Sequence, residues 1–412
     1  MRESWRWFGP NDPVTINYIR QTGATDVVSA LHAIPIGEVW SVEAVQAHQQ
    51  LIEQSESGLS QLRWTVVESI PVHEDIKLAR PNHQRYIDNW IASMENLAAC
   101  GVKVICYNFM PVIDWTRTDL RFQLSSGAYA LRFDQHKFAA FDLFILKRAG
   151  AEADYSELEI TCAQQRYEAM SEAERDQLTS NIIAGLPGKM TGAYSLDEFR
   201  AMLHNYRNIT RDDLRANLVA FLAQVLPRAE ALGVKLAIHP DDPPWDMFGL
   251  PRIICTAADL DYFFDALPSS ANGMTLCVGT YGSRSDNDLP TMARQFGSRI
   301  HFSHLRGVCL DPDEPRSFYE ASHLDSDIDM VAVIKQLLIE ELQRNRTGAS
   351  NANIYIRPDH GHQMMDDINK TVNPGYSGIG RLKGLAEVRG VIRAVSAQMA
   401  EQDNDQHRKA GV

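Results

Sequence analysis

Cysteine is scarce in this chain: Cys100, Cys106, Cys162, Cys255, Cys277 and Cys309 are the six among 412 residues, and none stands in a Cys-x-x-Cys pair. That scarcity argues against a disulfide-built scaffold and against a zinc ribbon, and free thiols point to a reducing compartment. Uncharged apolar runs of about 18 residues are also missing, so no membrane partner is expected. The opening stretch, MRESWRWFGPND, has no apolar core of the length that a secretory signal needs, and a cytoplasmic location is expected. Positive charge is in deficit. Lys and Arg number 40 against 53 Asp and Glu, a formal net charge of −13 with no basic run to offset it, so the chain would repel a phosphate backbone and nucleic acid is not an expected partner. No glycine-rich turn follows the first strand candidate, where Gly9-Pro10-Asn11-Asp12 stands, and this disfavours a dinucleotide-binding open sheet.

What is present is material for a large core, 44% hydrophobic with 23% charged residues. Period-two alternation is largely absent. Instead the β-rich runs are near-continuously apolar, as in strands covered on both faces. Trp5 to Phe8, Asp26 to Leu31, Trp64 to Ile70 and Val102 to Phe109 are the first four expected strands. Helical patterns separate them: Val14 to Gln21, started by Asp12 or Asn11; about Ser41 to Glu56; and about His83 to Ala99, closed by Gly101. From Pro111 to Gly233 no convincing strand appears, and helical patterns over Ala151 to Ala184 and Ser195 to Arg207 mark a helical insertion at about 113–209. Thr210, with Asp212 and Asp213, caps a helix to about Leu232 with a kink at Pro227, and Gly233 ends it.

The rhythm then resumes. Strands are expected at Val234 to His239, Met274 to Val278, Ile300 to His304 and Asn353 to Arg357, with helices over Thr256 to Leu267, Asp288 to Phe296, Ile328 to Asn345 and about Leu382 to Ala400. Eight strands alternating with helices predict an α/β fold, a (β/α)8 TIM barrel forming one domain over 1–412, with a frayed tail at about 401–412.

In such a barrel the strand C-termini converge on one face. Four consecutive strands end in metal-ligand types: His239 in AIHPDDPP, Cys277 in LCVGTYG, His304 in HFSHLRG and Asp359 in RPDHGH. Each alone has an ordinary structural explanation, a buried thiol, a core histidine or a turn residue. Their coincidence at equivalent places is what such explanations miss. Two imidazoles, a thiolate and a carboxylate suit a borderline divalent ion, Fe2+, Mn2+, Co2+ or Zn2+, better than Mg2+ or Ca2+. Four protein ligands leave open positions only above four-coordination, which favours Mn2+ or Fe2+, one per chain.

His360 follows Asp359 directly, so its side chain diverges and is free for proton transfer, and Tyr376 sits on a Gly-rich loop where an acid/base tyrosine would be well placed. Arg306 could clamp a carboxylate, and Arg357 could do the same or balance Asp359. Asn108, His32, Trp7 and His362 complete the candidates for lining the pocket.

Taken together, RWFGPND, CYNFMPVIDWTRTDL, AIHPDDPPW, LCVGTYGS, HFSHLRG and RPDHGHQM resemble the D-mannonate dehydratases of hexuronate catabolism, a hydro-lyase family similar in its metal-dependent barrel to xylose isomerases. The resemblance runs over nearly the whole chain, and the insertion is similar to that of longer members. It implies dehydration of D-mannonate to 2-keto-3-deoxy-D-gluconate with Mn2+ or Fe2+, metal ligands at His239, Cys277, His304 and Asp359, and proton transfer by His360 and Tyr376. Where this chain has His362, shorter members have arginine, and the spacing to the tyrosine is longer here. The chemistry agrees with the residue types. Removing the proton α to a carboxylate builds an enediolate dianion that needs a cation against it, and the β-hydroxyl leaves only with a proton from a general acid. A homo-oligomer, dimer or tetramer, is expected. The rival expectations are a sugar isomerase, epimerase or abasic-site endonuclease on the same barrel, and a non-catalytic sugar- or metal-binding protein. An endonuclease conflicts with the charge of −13, and a two-metal isomerase would need more carboxylates at strand ends.

Overall fold

Short runs rich in β-branched and aromatic residues build the strands of the chain, for which a computed structural model describes residues 1–55, 57–183, 195–349 and 351–410, with side chains through 402. In chain order these are β1 (Arg2–Arg6), β2 (Asp26–Ser29), β3 (Arg63–Glu68), β4 (Val104–Tyr107), β5 (Asp119–Gln123), β6 (Tyr129–Phe133), β7 (Lys235–Ile238), β8 (Asn272–Cys277), β9 (Ile300–Leu305), β10 (Gly307–Leu310), β11 (Phe318–Ala321) and β12 (Tyr355–Pro358). Eight of them close a parallel barrel in the order β1-β12-β9-β8-β7-β4-β3-β2, the expected TIM-barrel class. The seam closes where Arg2 pairs with Tyr355 and Glu3 with Ile356. Val28, Val66, Cys106, Ala237 and Phe302 form an apolar layer of their own, one residue from each of five barrel strands. The larger core lies between the barrel and the surrounding helices, where Trp5, Trp64, Trp90 and Phe221 are buried.

Local chemistry accounts for most helix starts. Ser41 accepts from Ala44 N, and the Thr210–Asp213 and Thr256–Asp259 pairs form capping boxes for Arg211–Leu232 and Ala257–Ala266. Gly233, at φ 66°, ends the first of these two helices.

Several boundaries differ from expectation for identifiable reasons. β1 begins at Arg2 rather than Trp5, because its polar start is satisfied internally: Arg2 pairs with Asp26, and the Ser4 hydroxyl donates to the Ile356 carbonyl at 2.8 Å. The following helix, Ile16–Thr22, is capped by Thr15; Asp12 instead accepts from Phe8 N and Val14 N, each at 2.9 Å, and shapes the turn. The expected helix ends at Glu56 and Ala184 lie outside the described residues, where the helices Val42–Glu53 and Glu172–Ile183 precede them. The last helix is Gly378–Ala410, longer at both ends than anticipated.

The largest difference lies in the insertion. It carries helices such as Glu157–Ala169, Glu172–Ile183 and Leu196–Asn205, but also the β5–β6 hairpin, which joins β10 and β11 in an antiparallel sheet of order β10-β11-β6-β5. Phe318 pairs with Phe133 across that sheet, partners far apart in sequence that no local pattern announces. Among the described residues no helix is long and apolar enough to cross a membrane.

Candidate metal and proton-transfer site

Parallel register brings the candidate ligands to one level. Cys277 pairs with His304 across β8 and β9, Arg357 pairs with His304 across β12 and β9, and His239 N bonds the Tyr107 carbonyl at 2.9 Å just past the end of β7. The ligand atoms of His239, Cys277 and His304 all lie within 4.8 Å of one another. Asp359 closes the group, its Oδ2 3.6 Å from Cys277 Sγ and its Oδ1 3.7 Å from His304 Nδ1. His239 Nδ1 donates to the Pro240 carbonyl at 2.7 Å, which leaves Nε2 bare and facing His304 Nδ1 at 3.2 Å. Cys277 and His304 are wholly buried and Asp359 nearly so. An imidazole nitrogen from each of His239 and His304 and the Cys277 thiol within 4.8 Å of one another, with the Asp359 carboxylate alongside, form a donor set that fits a borderline divalent cation.

Charged side chains the sequence reading passed over surround this set. Burial would raise the Glu68 carboxyl, but the guanidinium of Arg357, with His304 and Arg6, outweighs it and holds the group well below the usual carboxylate range. Arg357 grips Glu68 at 2.9 and 3.1 Å and Asp359 Oδ1 at 2.7 Å, so it does balance Asp359. Glu68 Oε2 stands 3.5 Å from His304 Nε2, behind the ligand set. For Asp359, burial is likewise outweighed by Arg357 and then by His360, His304 and Arg306, and its carboxyl sits far below the ordinary value.

Arg306 is not a free clamp. Its Nη1 bonds Asp359 at 3.0 Å, and its Nη2 bonds Asp242 and the Thr280 hydroxyl, each at 3.1 Å. A Cβ on Gly279 would lie 2.2 Å from Arg306 Nε, so only glycine lets this guanidinium pass. Arg117, wholly buried, bonds Asp242 at 2.8 and 3.1 Å and Glu320 at 3.1 Å.

His360 turns away from the ligand set, as a residue adjacent to Asp359 should. Its Nδ1 lies 2.7 and 2.8 Å from the two oxygens of Glu320 on β11. The ring of Tyr376 meets His360 edge-on at 4.9 Å between centroids and Phe8 at 4.7 Å. Burial raises the Tyr376 phenol above its ordinary value, partly opposed by Arg357. Arg381 ties the tyrosine's loop down, donating to the carbonyls of Arg6 at 2.9 Å, Tyr376 at 3.0 Å and Ser377 at 3.2 Å.

The remaining candidates scatter. His362 Nε2 bonds the Glu320 carbonyl at 2.9 Å, beside a cavity of about 520 Å³ also lined by Arg121, Gln177, Asn181, Lys370 and Gly375. Asn108 reaches Asp114 at 3.5 Å. His32 lies against Phe8, its pKa lowered to about 3 by burial and then by Arg6. Trp7 is a correction: its ring packs on His48 in Val42–Glu53, while Arg6, one residue earlier, meets Glu68. Trp7 N still bonds the Val28 carbonyl at 2.9 Å, so the extended alternation of β1 carries one residue past its end and sends these neighbours to opposite faces. Glu68 ends β3 and could have been found by the strand-end argument that found His239. Glu320 lies outside the barrel and carried no such signal.

The family model for D-mannonate dehydratase (UxuA) matches residues 1–402. The chain is similar to the mannonate dehydratase of Marinomonas sp. (strain MWYL1), 52% identical over 95% of this chain and 98% of that protein. It is equally similar to that of Brucella melitensis biotype 2, 52% identical over 98% and 99%. Among solved structures, the mannonate dehydratase of Streptococcus suis serotype 2 superposes with a TM-score of 0.75 at 34% identity, covering 97% of this chain and 96% of that one.

Proposed function

The chain belongs to the D-mannonate dehydratase family and removes water from D-mannonate; from that premise we propose that His239, Cys277, His304 and Asp359 hold one divalent cation while His360 and Tyr376 move the protons. The observation carrying this reading is the convergence of His239, Cys277 and His304 within 4.8 Å, with Asp359 3.6 Å from Cys277, beside a histidine and a tyrosine whose rings stand 4.9 Å apart.

The roles follow from what each group can do. A cation bound by the four donors would draw electron density from the carboxylate end of the substrate and offset the charge that develops when the α proton leaves. Tyr376, kept in its phenol form by burial, can only donate at neutral pH, so it delivers the proton to the departing β-hydroxyl. The α proton then falls to His360, whose Nε2 is the ring nitrogen not engaged by Glu320. His360 must then give up the proton it gained and Tyr376 must regain one before the next turnover, so that the proton count closes over the cycle. Arg306 and Arg357 serve as counter-charges within the site, each paired with two acids, Asp242 and Asp359 for the first and Glu68 and Asp359 for the second. The cavity bounded by His362 and Gly375 is the approach for substrate, and its size is in the range of small-molecule sites.

The cation is Mn2+ or Fe2+, because four protein donors leave room for substrate only in a coordination shell larger than four. Elemental analysis of protein purified without added metal, then chelation and add-back during a D-mannonate assay, tests metal and substrate together. The expected result is loss of 2-keto-3-deoxy acid production on chelation and recovery with Mn2+ or Fe2+. An aldose or ketose product without loss of water would overturn the dehydratase, and undiminished turnover after chelation would overturn the metal site. One barrel domain with an insertion at about 113–209, a cytoplasmic location and assembly as a dimer or tetramer complete the proposal. Light scattering would read such an assembly as a multiple of 46.3 kDa.

A further inference from the structure

Glu320 belongs to β11, in the auxiliary sheet and not in the barrel, yet its carboxylate is the partner of His360 Nδ1, at 2.7 and 2.8 Å. Its other neighbours are the guanidiniums of Arg117 at 3.1 Å and Arg306 at 3.6 Å, and the residue is 3% exposed. Arg306 Nη1 also lies 3.4 Å from His360 Nδ1, farther than either Glu320 oxygen, and it donates to Asp359 at the shorter distance of 3.0 Å. A carboxylate offers only acceptors and a guanidinium only donors. The carboxylate contacts, at 2.7 and 2.8 Å against 3.4 Å for the guanidinium, are the ones that favour the proton of a neutral His360 on Nδ1.

We propose that Glu320 is a positioning residue that holds His360 in the Nδ1–H tautomer and fixes its ring, so that Nε2 is the atom that exchanges protons with substrate. The proposal rests on the reading of His360 as a proton-transfer residue. It also gives the auxiliary sheet a role in the chemistry: β5, β6, β10 and β11 build the wall that delivers an acid to the back of a barrel histidine. The pair Arg117 and Arg306 holds Glu320 from behind, so that its oxygens cannot turn away from the ring.

Glu320→Gln is a discriminating test because the amide has the same shape. The two guanidiniums accept nothing, so the amide oxygen turns to them and the NH2 faces His360. That NH2 needs an acceptor, which moves the imidazole proton to Nε2. Steady-state kinetics with D-mannonate, metal content and 15N spectra of histidine-labelled protein, with His360→Asn to assign the His360 signals, read the outcome. For Glu320→Gln, kcat should fall roughly 10²- to 10⁴-fold with KM changed less than about threefold. Metal content should stay at the wild-type level, and the His360 proton should move from Nδ1 to Nε2. Glu320→Asp, which keeps an acceptor-only group, should recover at least about tenfold of the kcat lost in the amide variant. A Glu320→Gln enzyme with kcat within about threefold of wild type, or with its His360 proton still on Nδ1, overturns the proposal. Equal losses in the Gln and Asp variants overturn it as well. Full turnover in His360→Asn would instead remove the role of His360 itself, and the two failures are told apart because they occur in different variants.

Discussion

Tyr376 is buried between Phe8 and His360, with its phenol proton retained by that burial. Replacing it by Phe keeps the ring contacts and removes only the hydroxyl. Tyr376→Phe should therefore fold and carry metal like the wild type while kcat falls roughly 10²- to 10⁴-fold, the usual worth of a general acid. Metal content measured beside turnover checks this, and a variant that loses metal instead would place Tyr376 among the ligands. Cys277 poses the opposite case. It sits among His304, Asp359 and Thr280, in a fully buried group, and Cys277→Ala should lose metal first and activity as a consequence. Full activity in metal-free Cys277→Ala would end the four-donor reading.

At the scale of elements, the segment joining β12 to the helix Gly378–Ala410 is held by backbone contacts that few residue types allow. Gly361 N donates to the Gly375 carbonyl at 2.8 Å, and Arg381 closes the segment onto the end of β1 through the Arg6 carbonyl. Gly375 has φ +79°, and a Cβ there would lie 2.8 Å from Leu131 Cδ1 and 3.1 Å from the His360 ring. A non-glycine residue in that region costs on the order of 1–3 kcal/mol before any clash. Gly375→Ala is expected to push His360 off Glu320 and lower kcat at least about tenfold, with the barrel and its metal content intact. Limited proteolysis should cut the 370–377 segment of this variant faster than that of the wild type. Unchanged kinetics and cleavage would show that the loop tolerates the methyl group. Leu131 belongs to β6, so the auxiliary sheet sets the loop's position as well as supplying Glu320.

At the scale of the whole molecule, buried neutral histidines link stability to pH. His48 lies between Trp7 and Trp64 and bonds the Ser29 hydroxyl at 2.9 Å; burial lowers its pKa to about 4. The unfolded chain takes up a proton near the ordinary value of about 6.5, whereas the native one does not until about pH 4. The stabilisation is therefore complete above the unfolded value and is lost as pH falls through the interval between the two. For this one residue the loss between pH 7 and pH 5 amounts to about 2 kcal/mol. His323, also lowered to about 4 by burial, acts in the same direction. Urea unfolding at the two pH values should show the wild type weaker at pH 5, and His48→Leu should shrink that difference by about 2 kcal/mol. An undiminished pH dependence in the variant would assign acid sensitivity elsewhere.

The eight-strand rhythm, the helix caps at Ser41, Thr210 and Thr256 and the strand-end placement of His239, Cys277, His304 and Asp359 were all determined by the sequence itself. Each depends on local pattern: apolar runs of strand length, a capping side chain within three residues of its partner, or a position at the end of a run. Glu68 was legible by the same rule and was passed over. What only tertiary structure decided is which charges meet. Arg306, read as a clamp for a carboxylate, is held by Asp242 and Asp359; Arg357, read as a clamp or as the balance for Asp359, pairs with both Asp359 and Glu68; and the Trp7 ring packs on His48 where Arg6 meets Glu68. Glu320 and His360 are 40 residues apart, one on β11 of the auxiliary sheet and the other just past the end of barrel strand β12. No periodicity relates them, because their contact depends on how the β10-β11-β6-β5 sheet packs on the barrel mouth, a long-range packing event that a chain read residue by residue does not encode in any single window.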